Sequence, residues 1–159
     1  MREIFLTLFY SGKSPIAPGT MGSILALIIG LPLVYFSNQT IFLLAILVGV
    51  FAIKQIDVYE QNGGAHDDKS IVIDELVGMW LAMGMSGFSI IGILGAFLFF
   101  RFYDISKPSM IGKIDKKVKG GLGVVGDDAL AGLLAGISTL IIIKILAYFH
   151  INPNFNLFS

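Results

Sequence analysis

Two stretches without one charged side chain constrain this sequence more than anything else in it. No Lys, Arg, Asp or Glu occurs between Lys13 and Lys54, or between Glu75 and Arg101. A water-soluble fold has to cover its surface with polar groups, so charge-free runs of that length belong in lipid. Composition agrees: 55% of residues are hydrophobic, 14% are charged, and the mean hydropathy is +0.84. The chain is expected to be a small polytopic membrane protein, residues 1–159 forming one domain. The absence of Cys excludes thiolate nucleophiles and Cys-ligated metal sites. Eleven acids balance eleven bases, which argues against nucleic acid as a partner, since phosphate-backbone binding wants a basic surface. Residues 1–10 are not followed by a small-residue cleavage site, so no cleaved signal peptide is expected.

The apolar segments divide at polar turns. Ser23 to Phe36 and Ile41 to Ile53 read as a helical hairpin around Ser37-Asn38-Gln39-Thr40. Leu76 to Phe100 could be one tilted span or two short helices broken at Gly84-Met85-Ser86-Gly87. The loop after it carries six bases (Arg101, Lys107, Lys113, Lys116, Lys117, Lys119) against Asp104 and Asp115, an excess that marks the cytoplasmic side. Lys13 places the N-terminus on the same side, and only the hairpin puts both there. With Ala129 to Phe149 as the last span, the expectation is an all-α bundle of about five short spans. Its polar segments, 12–22, 57–75 and 101–128, then gather on the cytoplasmic face.

Those segments hold ten of the 11 acids, several at an apolar boundary: Asp74-Glu75, Asp104 and Asp127-Asp128. Carboxylates there are costly to dehydrate unless something cationic holds them, and Arg101 and Lys107 are too few. A divalent metal is the natural counter-charge; oxygen ligands without Cys suggest Mg²⁺ rather than Zn²⁺. The competing reading is that each pair merely caps a helix N-terminus. Arg101, Asp104 and Lys107 step by three, which would set a base on either side of a carboxylate on one helix face ending at Pro108. Gly121-Leu122-Gly123-Val124-Val125-Gly126 fits a dinucleotide string but follows a basic loop and runs into two aspartates; a turn offering N–H groups to one phosphate suits it better. Thr20 or Ser23 is expected to cap the first span, and Asp57 to sit at a solvated helix end. His66 beside Asp67 is a candidate acid/base or metal pair.

Taken in order, these motifs resemble a known family. Ala17-Pro18-Gly19-Thr20 with Gly22-Ser23, His66-Asp67 leading to Asp74-Glu75 and Gly78-Met79-Trp80, Arg101-Phe102-Tyr103-Asp104-Ile105 with Lys107-Pro108, and Gly121-Leu122-Gly123 with Asp127-Asp128 and Ala131-Gly132 are similar to phosphatidylglycerophosphatase A. The resemblance runs over residues 12 to 136; where the family continues Lys-Pro with Trp-Pro-Ile, this chain has Ser109-Met110-Ile111. It implies a Mg²⁺-dependent phosphatase in the bacterial cytoplasmic membrane that cleaves the terminal phosphomonoester of phosphatidylglycerophosphate. It further implies catalytic roles for Asp74, Glu75, Asp104, His66 and Asp67. Metal ligation would fall to Asp74, Glu75, Asp104, Asp127 and Asp128, and phosphate contacts to Arg101, Lys107, Thr20, Gly121 and Gly123. Two alternatives stay open: a phosphatase of another lipid phosphate, and a small cation or solute transporter, which would place its acids midway along the spans rather than at their ends.

Overall fold

The computed structural model describes residues 2–65, 68–108, 111–112 and 118–149. Among them there is no strand. The helices are α1 (Arg2–Leu6), α2 (Pro18–Phe36), α3 (Asn38–Gln61), α4 (Ile73–Ser86), α5 (Ile90–Ser106) and α6 (Gly121–Tyr148), with a 3₁₀ turn at Ser11–Lys13. Three of them, α2, α3 and α6, are long and apolar enough to cross a membrane. α4 has 14 residues and α5 has 17, short of the about 20 that a full crossing takes.

The uncharged run is two helices. α4 carries on through Gly84 to Ser86, and the chain turns at Gly87, whose φ of 77° suits glycine. Ser89 then starts α5, its Oγ accepting the Gly92 N–H at 2.9 Å. Beyond its acidic first turn α4 is apolar and almost wholly buried, as a helix enclosed by its neighbours must be. Small residues let those neighbours close on it. Gly132 of α6 lies against the Gly78 carbonyl, Gly30 of α2 against Met83 and Trp80, and Gly49 of α3 against Val77. The Trp80 indole donates to the Ala26 carbonyl at 2.9 Å, so this aromatic is a packing residue with its one polar atom satisfied.

Three local expectations are corrected. Neither Thr20 nor Ser23 caps α2, because the helix begins upstream at Pro18, whose missing N–H and fixed φ suit the first turn. The glycine-rich string 121–126 is not a turn but the first two turns of α6. Glycine is required there by contact: a Cβ at 121 would overlap the Ile53 carbonyl and one at 123 the Val118 carbonyl. Asp57 does not end in solvent; its Oδ1 accepts the Gly121 N–H at 2.7 Å and joins the end of α3 to the start of α6.

The starts of α2, α4 and α6 and the ends of α3 and α5 therefore lie together. Ser37, Asn38, Gly87 and Phe88 gather at the other end, where Tyr35 and Phe88 meet edge to face at 5.2 Å.

Candidate active site

Each helix delivers its polar residues to the shared end from its first or last turns. α4 brings Asp74 and Glu75 in its first turn, α5 brings Arg101 and Asp104 in its last two, and α6 brings Asp127 and Asp128 two turns in. The Asp127-Asp128 pair thus caps nothing, yet both residues are buried, at 4% exposure each. Two carboxylates buried side by side inside a helix need cationic partners, and among the described residues Lys107 supplies one to Asp127 alone.

Arg101 organises the centre. Its Nη1 donates to Glu75 Oε1 at 2.9 Å and Oε2 at 2.8 Å, to Asp104 Oδ2 at 2.6 Å and to Ser23 Oγ at 3.2 Å. Nη2 donates to Thr20 Oγ1 at 3.2 Å. Ser23 Oγ in turn donates to Glu75 Oε2 at 2.7 Å. A Cβ at Gly19 would overlap Glu75 Oε1, so a larger residue there would have to shift the carboxylate that Arg101 holds. Thr20 and Ser23, expected as caps, thus hold the guanidinium and the buried carboxylate. Lys107 follows α5 in a left-handed conformation (φ 39°) ahead of Pro108, and its Nζ donates to Asp127 Oδ2 at 2.7 Å.

Oxygens of Glu75, Asp104 and Asp128 all lie within 4.8 Å of one another, a three-carboxylate cluster able to hold a metal ion. The cluster opens on a cavity of about 370 Å³. Six carboxylates line it (Asp68, Asp74, Glu75, Asp104, Asp127, Asp128), against Lys69 and Lys107. Pro18 and Gly19 of α2, Gly123 and Val124 of α6, and the apolar Ile71, Val72 and Val118 complete it, so three helix N-termini reach the same space. Their positive dipole ends favour anions.

Of the residues singled out in the sequence, Asp74, Glu75, Asp104, Asp127, Asp128, Lys107 and Gly123 line the cavity, and Arg101 and Thr20 stand behind Glu75. Gly121 has its N–H bound to Asp57. His66 and Asp67 lie outside the described residues. Sequence reasoning passed over Ser23 as a ligand of Glu75, and Asp68 and Lys69 as cavity walls. Asp68 is held by the Tyr59 hydroxyl at 2.6 Å and the Ser70 N–H at 2.9 Å, and these donors keep its carboxyl below the usual carboxylate range. The run Asp67-Asp68-Lys69-Ser70 carried the signal for this loop, because a carboxylate two residues before a serine N–H is the pattern of an Asx turn.

Comparison with known proteins identifies the family. The phosphatidylglycerophosphatase A family profile matches residues 4–143, which span α1 to most of α6. Phosphatidylglycerophosphatase A of Escherichia coli strain K12 is 39% identical over 131 residues, covering 80% of this chain and 74% of that protein. The Haemophilus influenzae protein of the same name is 38% identical over 132 residues, covering 80% of this chain and 79% of that protein. A Bacteroides thetaiotaomicron relative, provisionally named a phosphatidylinositol-3-phosphatase, is 34% identical over 136 residues, covering 79% and 82%. No solved structure matches. The carboxylate cavity lies wholly within the matched region, and the chain belongs to the phosphatidylglycerophosphatase A family of phosphoric monoester hydrolases.

Proposed function

We propose that this protein removes the terminal phosphate of phosphatidylglycerophosphate at the cytoplasmic face of the bacterial membrane, in a reaction that needs Mg²⁺ and yields phosphatidylglycerol and phosphate. α2, α3 and α6 anchor the bundle in the bilayer, and the shorter α4 and α5 complete five crossings, α4 enclosed by its neighbours and α5 at the periphery. The observation that carries the reading is the charge of the cavity. Six carboxylates against two lysines repel a phosphomonoester dianion, so the cavity accepts one only together with a cation. The donor set fits Mg²⁺: Glu75, Asp104 and Asp128 offer hard oxygen ligands from three helices, with no thiolate among them. A Mg²⁺ ion held by these three carboxylates would neutralise phosphoryl oxygens and lower the pKa of a bound water.

The protein's own groups do the rest. Arg101 fixes Glu75 and Asp104 in one geometry, with two hydrogen bonds to the first and one to the second. Lys107, on the cavity wall, presents a cation to the phosphate while Asp127 holds it in place. The Gly19 N–H, in the first turn of α2 on the cavity wall, would meet a remaining phosphoryl oxygen. Asp68 and Asp74 line the cavity outside both the cluster and the Lys107 pair; Asp68 is held by Tyr59 and Ser70, so we assign to Asp74 the proton taken from water. Hydrolysis forms one P–O bond from water and breaks the one to the glycerol oxygen, which leaves with a proton.

Phosphate release by the purified protein tests the reading, measured in detergent–lipid micelles from phosphatidylglycerophosphate, phosphatidic acid and phosphatidylinositol-3-phosphate, each with and without Mg²⁺. The expected result is Mg²⁺-dependent release with phosphatidylglycerophosphate the best substrate. A different best substrate would reassign the reaction, and release from none would overturn it.

A further inference from the structure

The helix faces around the cavity carry a second pattern. On α2, Met21, Ile24 and Ile28 are exposed at 44%, 38% and 56%, and Ile16 just upstream at 78%. On α5, Leu94, Leu98, Phe102 and Ile105 are exposed at 56%, 64%, 62% and 72%. At about 100° per residue each set forms one stripe, and each stripe runs up to the cavity's rim.

Where the stripes stand relative to each other follows from the hydrogen bonds. α2 and α5 meet through Arg101 and Thr20. On α2 the exposed stripe lies to one side of Thr20, and Ser23, bound to Glu75, lies to the other. On α5 the stripe lies to one side of Arg101, and Asp104, in the carboxylate cluster, lies to the other. The helices run in opposite directions here, the start of one beside the end of the other. With Ser23 and Asp104 both turned inward, both stripes face outward on the same side of the seam. The result is an apolar track that ends at Pro18 and Asp104, two residues of the cavity wall.

We infer that this α2–α5 seam is where the acyl chains of the lipid substrate lie while its head group reaches over the rim to the carboxylates. The inference rests on the proposed lipid phosphatase activity and adds a route: entry sideways from the bilayer. Continuity argues for a lipid occupant, because the track is the outward face of a helix long enough to cross the membrane and passes without a charged residue up to Arg101. A phosphomonoester tethered to acyl chains has to be presented at this depth, and both stripes reach residues of the cavity wall.

Two measurements test it. A phosphatidylglycerophosphate carrying a photoactivatable diazirine on one acyl chain is irradiated with the full-length protein in lipid nanodiscs, and the labelled residues are mapped. Enrichment at Met21, Ile24, Phe102 and Ile105 over Leu43 and Leu47 on the outer face of α3 is expected; equal labelling of both faces overturns the inference. The second compares kcat/KM for long-chain phosphatidylglycerophosphate with that for its deacylated head group. Phe102→Ser and Ile105→Ser should each lower that ratio by about tenfold, the scale of one lost apolar contact, with Leu47→Ser leaving it at the wild-type value. An unchanged ratio in both variants, or the same fall in Leu47→Ser, overturns it. Labelling needs no turnover, so a wild-type protein inactive on this lipid would defeat the proposed function and still leave the track decided by the map.

Discussion

The two ends of the bundle solve the same local problem in opposite ways. At the far end, the starts of α3 and α5 are capped by neutral hydroxyls: Ser37 accepts the Thr40 N–H at 3.2 Å and Ser89 accepts that of Gly92 at 2.9 Å. At the cavity end, the residues that precede α2, α4 and α6 are Ala17, Val72 and Gly120, and none supplies a side-chain cap. α6 borrows Asp57 from another helix instead, while α2 and α4 keep their first turns turned to the cavity. A helix that only has to turn is finished by one serine. Where two helix starts stay uncapped beside six carboxylates, backbone donors and charges are left facing the cavity.

The comparison breaks most visibly if the carboxylates are neutralised. Glu75→Gln, Asp104→Asn and Asp128→Asn should each lower kcat by about a thousandfold or more, with helical circular dichroism retained, because each removes one arm of the proposed metal cluster. Two of the three turning over normally would move the chemistry elsewhere. The next effect in size belongs to Arg101. Arg101→Lys keeps the charge but loses the planar fork that reaches Glu75, Asp104 and Thr20 together, and should cost about tenfold to a hundredfold in kcat/KM. Arg101→Ala should also destabilise the fold by roughly 3 kcal/mol, measured by unfolding in mixed micelles, because it leaves Glu75 buried without its partner. Wild-type kinetics in Arg101→Lys would reduce this residue to a topological marker.

Packing comes third. Gly132→Ala drives a methyl into the Gly78 carbonyl across the α4–α6 contact and should cost about 1–3 kcal/mol, with a fall in activity, since these helices carry Glu75 and Asp128. The smallest effects should lie at the far end. Ser37→Ala and Ser89→Ala should each cost about 1 kcal/mol of stability and leave kcat at the wild-type value. A loss of turnover there would erase the distinction between the ends.

The architecture was legible where it follows from water and lipid. Charge-free runs located α2, α3 and the α4–α5 pair, and the basic loop after Arg101 chose two helices over one before Gly87 and Ser89 were seen to divide them. The site was legible as a set of carboxylates at apolar boundaries. What pattern could not supply was pairing between distant segments. Thr20 and Ser23 read as caps because hydroxyls near a helix start usually are, yet the geometry gives them to Arg101 and Glu75, 52 or more positions away. Gly121 and Gly123 read as a turn because glycine breaks isolated helices; here the same absence of a Cβ admits the Ile53 and Val118 carbonyls, and tertiary contact outweighs propensity. Asp57 became a cap for α6 through the approach of two helix ends, which no spacing rule encodes.

If Glu75, Asp104 and Asp128 hold the cation that admits the phosphate, a Mg²⁺ titration of phosphate release from phosphatidylglycerophosphate will register the loss of any one of them. Wild-type protein and Asp128→Asn would be compared in the same micelles from chelator to saturating metal. Turnover should vanish in chelator, and the Asp128→Asn variant should need about tenfold or more Mg²⁺ for half-maximal activity, because a ligand has been lost. Full turnover in chelator, or an unchanged Mg²⁺ requirement in Asp128→Asn, would contradict the account.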